Sequence, residues 1–403
     1  GNLEYAEPLF LNKTSAIPND PDFADQHSLV QVKALEAWAI QPDAANVIIA
    51  IIDSGSDLDH PDLEANIHIN TAEIPNNGLD DDSDGYIDNY KGWDFVGASS
   101  SFIEDNDPNV KADSLDHGVH VSGIASAVTN NGIGVASLAR HSKLMILKAG
   151  ADNSTTTIYP TAAYKAMKYA ADRGAKIINC SWGRNSGPPS AFEQDVINYA
   201  VSKGCLIVAA AGNDGNEVTQ YPAGYSGVFA VANVLSSNID PSLQGEKAST
   251  SSYGLHVAIS APGTRIYSTT FGGNYGYKSG TSMAAPLVSS AAALVSARYP
   301  ELSGVQIGEL LRLGADDIYT VQGNSSYLNK LGSGRLNIFK ALNAGSLPAI
   351  RKQFVEVLDN FSSRSPGDTL LIGVDIKNLL EPATNLMVNL SSTSPKIEIL
   401  NPT

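Results

Sequence analysis

The sequence predicts an α/β fold in which a parallel β-sheet is sandwiched by helices. Short, continuously apolar runs recur along the chain: "VIIAII" (47–52), "LMILK" (144–148), "KIINCSW" (176–182), "LIVAAAGN" (206–213) and "VFAVANV" (228–234). They lack the alternation of a half-solvated strand, so they predict strands buried on both faces. Helical patterns separate them at 117–128, 157–173 and 190–203, with two more at 282–298 and 303–315. Strand–helix alternation of this kind is the pattern of a sheet covered by its crossovers.

Each further region is read in turn. Residues 1–24 are rich in Asn, Asp and Pro and read as an N-terminal arm. Residues 25–345 hold the alternating elements. From 346 the character changes to alternating apolar residues and turn signals such as "SPGD". The segment 346–403 predicts the start of a small antiparallel β module, because a sandwich takes about 100 residues.

Composition narrows the function. The chain has 403 residues, 43 % hydrophobic and 17 % charged, which suits a large core and argues against disorder. A net charge of −16 excludes a basic nucleic-acid-binding face. No apolar run reaches the roughly 20 residues of a membrane span. Two cysteines, Cys180 and Cys205, lie in apolar runs and read as buried free thiols.

Four short motifs carry chemistry. Asp53 ends the first apolar run and opens "DSG", at the strand end where ligands gather in open α/β sheets. Alone, it is equally a structural turn aspartate. His117 and His120 share a helix face in "DHGVHVSG"; they suit a metal pair, a catalytic base with a packed neighbour, or a structural helix start. Ser282 enters an Ala-rich helix in "SGTSMAAP", as an N-cap or as a hydroxyl beside free backbone N–H groups. Pro286 inside that helix needs a special reason. Asn213 closes "AAAGN", either as a turn residue or as an amide aimed at developing negative charge.

Together "AIIDSG", "HGVHVSG", "AAAGN" and "GTSMAAP" resemble the signatures of the subtilases, the subtilisin-like serine proteases, over roughly residues 25–342. Their order, Asp then His then Ser, is also that family's order. The resemblance implies a serine endopeptidase acting through an acyl-enzyme on protein or peptide substrates. Ser282 would be the nucleophile, His117 the base and Asp53 its orienter, with Asn213 and the Ser282 N–H as oxyanion hole. Ser181, Trp182 and Gly183 would form the edge that pairs with substrate; Ala210, Ala211 and Gly212 would wall the pocket with them. The resemblance further implies a secreted, monomeric zymogen. "LEYAEP" (3–8) resembles a prodomain tail, with a mature N-terminal arm as the alternative. The chain departs from the family pattern at Val119, Leu287 and Ser290, none of them a triad or oxyanion position.

The loop "DDDSDGYID" (80–88) spaces carboxylates at alternate positions around Gly85. This is the first part of an EF-hand-type calcium loop, with Asp80, Asp82, Asp84, the Tyr86 carbonyl and Asp88 as ligands. Lys91 stands where the bidentate Glu belongs, so another acid would have to complete the shell; the alternative is a solvated acidic turn. A catalytically impaired binding protein on the same fold is the other functional reading, and the C-terminal module its one hint.

Overall fold

The computed structural model describes residues 17–99, 102–153, 157–185, 187–236, 243–358, 365, 367–388, 392, 394 and 396–399. The reading of residues 3–8 as a prodomain tail lies outside them. The chain divides into two compact units, Gly1–Ala344 and Gly345–Thr403.

In the first unit the elements run α1 (His27–Gln31), α2 (Ala34–Trp38), β1 (Ile48–Asp53), β2 (Trp93–Asp94), α3 (His117–Ser126), β3 (Lys143–Lys148), α4 (Pro160–Asp172), β4 (Ile177–Cys180), α5 (Ala191–Ser202), β5 (Leu206–Ala210) and β6 (Val228–Val234). They continue with β7 (Val257–Pro262), β8 (Ile266–Thr270), β9 (Asn274–Lys278), α6 (Thr281–Arg298), α7 (Gly304–Leu313) and α8 (Ile338–Leu342). Seven strands form one parallel sheet in the order β2-β3-β1-β4-β5-β6-β7. β1 lies inside it, paired with β3 and β4, which explains its unbroken apolar run. The antiparallel pair β8–β9 stands apart from the sheet.

The helices follow from local chemistry. Pro160 opens α4, where a missing N–H costs nothing, and one face of α4 is buried from Ala162 to Ala171. α7 starts on a capping box between Ser303 and Gln306. α6 is apolar all round and buried almost throughout. Ser290, at a departure from the family pattern, is fully buried and used twice. Its Oγ donates to the Ala125 carbonyl at 2.7 Å and accepts the Ala139 N–H at 2.9 Å, joining α6 to α3. The described part of the N-terminal arm is fastened down: Asp20 accepts the Asn130 and Asn131 N–H groups.

In the second unit β10 (Ile350–Val357) pairs antiparallel with β11 (Ile372–Asn378). The parallel sheet between helices and the small antiparallel sheet after it match the fold class read from the sequence.

Candidate active site

The site grows from the ends of three elements. β1 ends on Asp53, which is buried with 1 % exposure. Ser54, the next residue, donates its hydroxyl to the Leu115 carbonyl and accepts the Gly118 N–H, so it holds the start of α3 against β1. Gly118 is required there: a Cβ would lie 2.0 Å from the Gly55 carbonyl oxygen. The close approach brings His117 Nδ1 to 2.8 Å from Asp53 Oδ1. A buried carboxylate can only accept, so Nδ1 carries the proton and Nε2 is left as the acceptor.

The third element is α6. Gly280 precedes it at φ +150°, and Ser282 is its second residue. Asn213 lies beyond β5, and its Oδ1 accepts both the N–H and the hydroxyl of Thr281, at 2.9 and 3.0 Å. That pins the acceptor end of the amide and leaves Nδ2 for the cleft. It also leaves the Ser282 N–H as an orphan donor of the first helical turn. Asp53, His117, Asn213 and Ser282 all line one cleft of about 520 Å³. In the free protein Ser282 Oγ donates to the Ser181 carbonyl at 3.0 Å.

The two histidines of the motif part company. Burial lowers the His117 pKa, but the Asp53 charge and hydrogen bond outweigh it and leave the pKa raised. His120 is fully buried, and burial pushes its pKa down to about 3. Its Nε2 faces the carbonyls of Ile266 and Gly276, each at 3.1 Å, so it is a neutral packing residue. Neither ring belongs to a cluster of metal-ligating side chains among the described residues.

Next to the cleft is a second pocket of about 290 Å³. Trp182, Gly183, Ala210 and Gly212 line it; Ser181 lines the first cleft together with Trp182 and Gly183, and Ala211 lines neither. Ser181 turns its hydroxyl to the Ser282 carbonyl, and Ala211 is fully buried. Sequence reasoning missed Gln220 and Asp214. The Gln220 amide lies across Gly212, where a Cβ would come within 2.4 Å of its Cδ. Asp214 Oδ2 accepts from it at 2.8 Å and holds it there.

In the acidic loop the structure brings Asp80 and Asp82 together with Glu73, their carboxylate oxygens within 4.8 Å of one another. Glu73, upstream of the loop, is the further acid in this cluster. Its carboxylate also accepts the N–H groups of Asp81, Asp82 and Asp88. Asp84 and Asp88 do not join the cluster. Asp84 is ion-paired with Arg173, and Asp88 caps the N–H groups of Asn77 and Gly78. Arg173 pairs with Asp82 as well as with Asp84, so that ion pair does not separate the two, while the turn at 77–78 needs acceptors of its own. The Tyr86 ring packs on Trp93 and Tyr169. A set of three carboxylates with no nitrogen or sulfur donor fits a hard divalent cation of the calcium type.

This fold and cleft suit a hydrolase, and comparison with known proteins gives the class, a serine endopeptidase. A family profile described as the subtilase family (Peptidase S8) matches residues 44–334. Thermitase of Thermoactinomyces vulgaris is 35 % identical over 326 residues, which cover 81 % of this chain and 99 % of thermitase. The thermophilic serine proteinase of Bacillus sp. strain AK1 is 34 % identical over 341 residues, covering 84 % of this chain and 73 % of that one. Among solved structures, a protease from Pseudoalteromonas arctica superposes with a TM-score of 0.66 at 27 % identity, over 82 % of this chain and 99 % of its own. The chain belongs to the subtilase family.

The geometry makes one spectroscopic prediction. Asp53 favours imidazolium, so His117 should stay protonated to a pH above 6.5, while His120 stays neutral throughout the range from about 5 to 8. In Asp53→Asn the His117 transition should move down, because burial is then opposed by less. Histidine NMR titration checks both; a His117 transition that Asp53→Asn leaves in place would contradict the assignment.

Proposed function

We propose that this subtilase cleaves internal peptide bonds with Ser282 as nucleophile, His117 as general base then acid, and Asp53 as the group that orients the imidazole. The observation that carries this is the 2.8 Å contact from Asp53 Oδ1 to His117 Nδ1, in a cleft shared with Ser282. His117 Nε2 takes the Ser282 proton as Oγ attacks the scissile carbonyl. The oxyanion is met by Asn213 Nδ2 and the Ser282 N–H, both preorganised by the Asn213–Thr281 contacts. Imidazolium, favoured by Asp53, then gives its proton to the leaving amine, and water releases the acyl group by the same route.

The leaving amine departs on the His117 side. The acyl part of the substrate therefore lies on the other side of Ser282, where the second pocket opens without His117 among its lining residues. Gln220 shortens that pocket, so compact side chains should be preferred over aromatic ones before the cut. Ser181, Trp182 and Gly183 form the edge for substrate backbone.

Glu73, Asp80 and Asp82 would hold calcium, which would supply charge neutralisation to a crowded acidic loop and no step of the reaction. A secreted protein fits this reading: one relative is named a halolysin-like extracellular serine protease, and no helix among the described residues is long and apolar enough to cross a membrane. A propeptide, a monomeric state and residues 25–345 as the catalytic domain belong to the same proposal.

Three outcomes test it. Ser282→Ala should lower kcat by roughly 10⁶ and abolish fluorophosphonate labelling; cleavage near the wild-type rate would sink the triad. Chelation should lower the melting temperature by at least about 5 °C, with recovery on adding calcium, since a ligand bound only to the native state stabilises it. An unchanged melt would refute the calcium site. Gln220→Gly should raise kcat/KM for Phe relative to Ala before the cut by about tenfold or more; an unchanged profile in a peptide series would remove Gln220 from specificity.

A further inference from the structure

Pro286 is the residue of the "SGTSMAAP" motif that the mechanism leaves unexplained. In an α-helix the N–H of residue 286 would bond the carbonyl four residues back, which is that of Ser282. Proline has no N–H. It also lies beyond the first turn of α6, where that loss would be harmless. The candidate nucleophile therefore sits on a residue whose own carbonyl has been released from the helix.

The structure fills that vacancy from a different element. Ser181 Oγ donates to the Ser282 carbonyl at 2.9 Å. The Ser181 hydroxyl is in turn fixed: it accepts from Asn179 Nδ2 at 2.9 Å. Asn179 Oδ1 accepts the Ser289 hydroxyl, also at 2.9 Å. Ser181 is 3 % exposed, and Asn179 and Ser289 are fully buried. The chain of donors runs one way, from Ser289 on α6 to Asn179 on β4, then to Ser181 and back to Ser282 at the head of α6. Ser181 has a single hydroxyl proton, and it is committed to this carbonyl. An unmet carbonyl here would be costly, because the side chains packed behind it, Ser181, Asn179 and Ser289, are buried.

We propose that Ser181 is a positioning residue: its hydroxyl replaces the hydrogen bond that Pro286 denies to Ser282, and so sets the depth and rotation of the nucleophile. This rests on the reading of Ser282 as nucleophile. The consequence is that the serine is held by the segment that leaves β4, not by its own helix. Two contacts between the same residues make the hold reciprocal, since Ser282 Oγ rests on the Ser181 carbonyl.

The test is a double-mutant cycle on the full chain, reading kcat and KM on a peptide substrate and the rate of fluorophosphonate labelling. Ser181→Ala should lower kcat and the labelling rate about tenfold, the scale of one lost orienting hydrogen bond, with KM within about twofold. Ser181→Thr keeps the hydroxyl and should keep most of kcat. Adding Pro286→Ala to Ser181→Ala restores an N–H opposite the Ser282 carbonyl and should recover most of the loss. Additive losses in the double variant overturn the proposal, as does a Ser181→Ala effect confined to KM, which would mark a substrate-edge role alone. Ser289→Ala breaks the chain at its far end and gives a second reading if Ser181→Ala does not fold. It should lower kcat by a smaller factor with KM unchanged, and an unchanged kcat overturns the proposal. Wild-type protein that neither cleaves nor labels would strike the endopeptidase reading itself.

Discussion

A helix that is apolar on every side must be covered on every side, and α6 is such a helix. It touches α3, the strands β4, β5, β6 and β7, and the helices α7 and α8. The parallel sheet supplies one wall, and the helices supply the rest. Because Ser282 stands at the buried helix's N-terminal end, its position is set by the packing of the whole core. The cleft opens beside that end, at the carbonyl ends of β4 and β5, where Ser181 and Asn213 line it.

Charge is arranged around this core with economy. Asp53 is buried and spends one oxygen on His117 and the Ser54 N–H. Its other oxygen has no partner among the described residues, which leaves the imidazole as the main group answering its charge. Far from the cleft, the acidic loop gathers carboxylates at much closer quarters. There Arg173 answers Asp82 and Asp84, while Glu73 spends its oxygens on backbone N–H groups. The first arrangement tunes one proton. The second gathers like charges, answered by one guanidinium and by backbone N–H groups.

The long elements were legible because their physics is local. Strands buried on both faces and Ala-rich helices announce themselves in a window of a few residues, and so do Asp53, His117, Asn213 and Ser282 through the motifs that house them. The exceptions are β7, whose short run "VAISAP" was not read although it is fully buried, β2, which is two residues long, and the polar, tyrosine-rich hairpin β8–β9. Glu73 escaped because the calcium spacing was followed forward from Asp80, while the chain folds back to deliver an upstream acid. Gln220 and Asp214 carry no motif; only the turn that lays Gln220 across Gly212 makes them part of a pocket. The Val119 departure has a plain setting: the residue is fully buried, and the hydroxyl nearby comes from Thr269, which donates to the Val119 carbonyl at 2.8 Å.

Ser290 sits about two turns along α6 from Ser282, yet its two hydrogen bonds decide what kind of machine this is. One ties the helix that carries Ser282 to the helix that carries His117, and the other ties it to the loop before β3, within a close-packed interior that deforms little. The proposed base and nucleophile therefore belong to one stiff block, like two teeth cast in the same jaw. Whatever opens or narrows to admit a polypeptide must be sought in the segments that border the cleft, and adaptation to new substrates can proceed there without retuning the distance between the reacting groups.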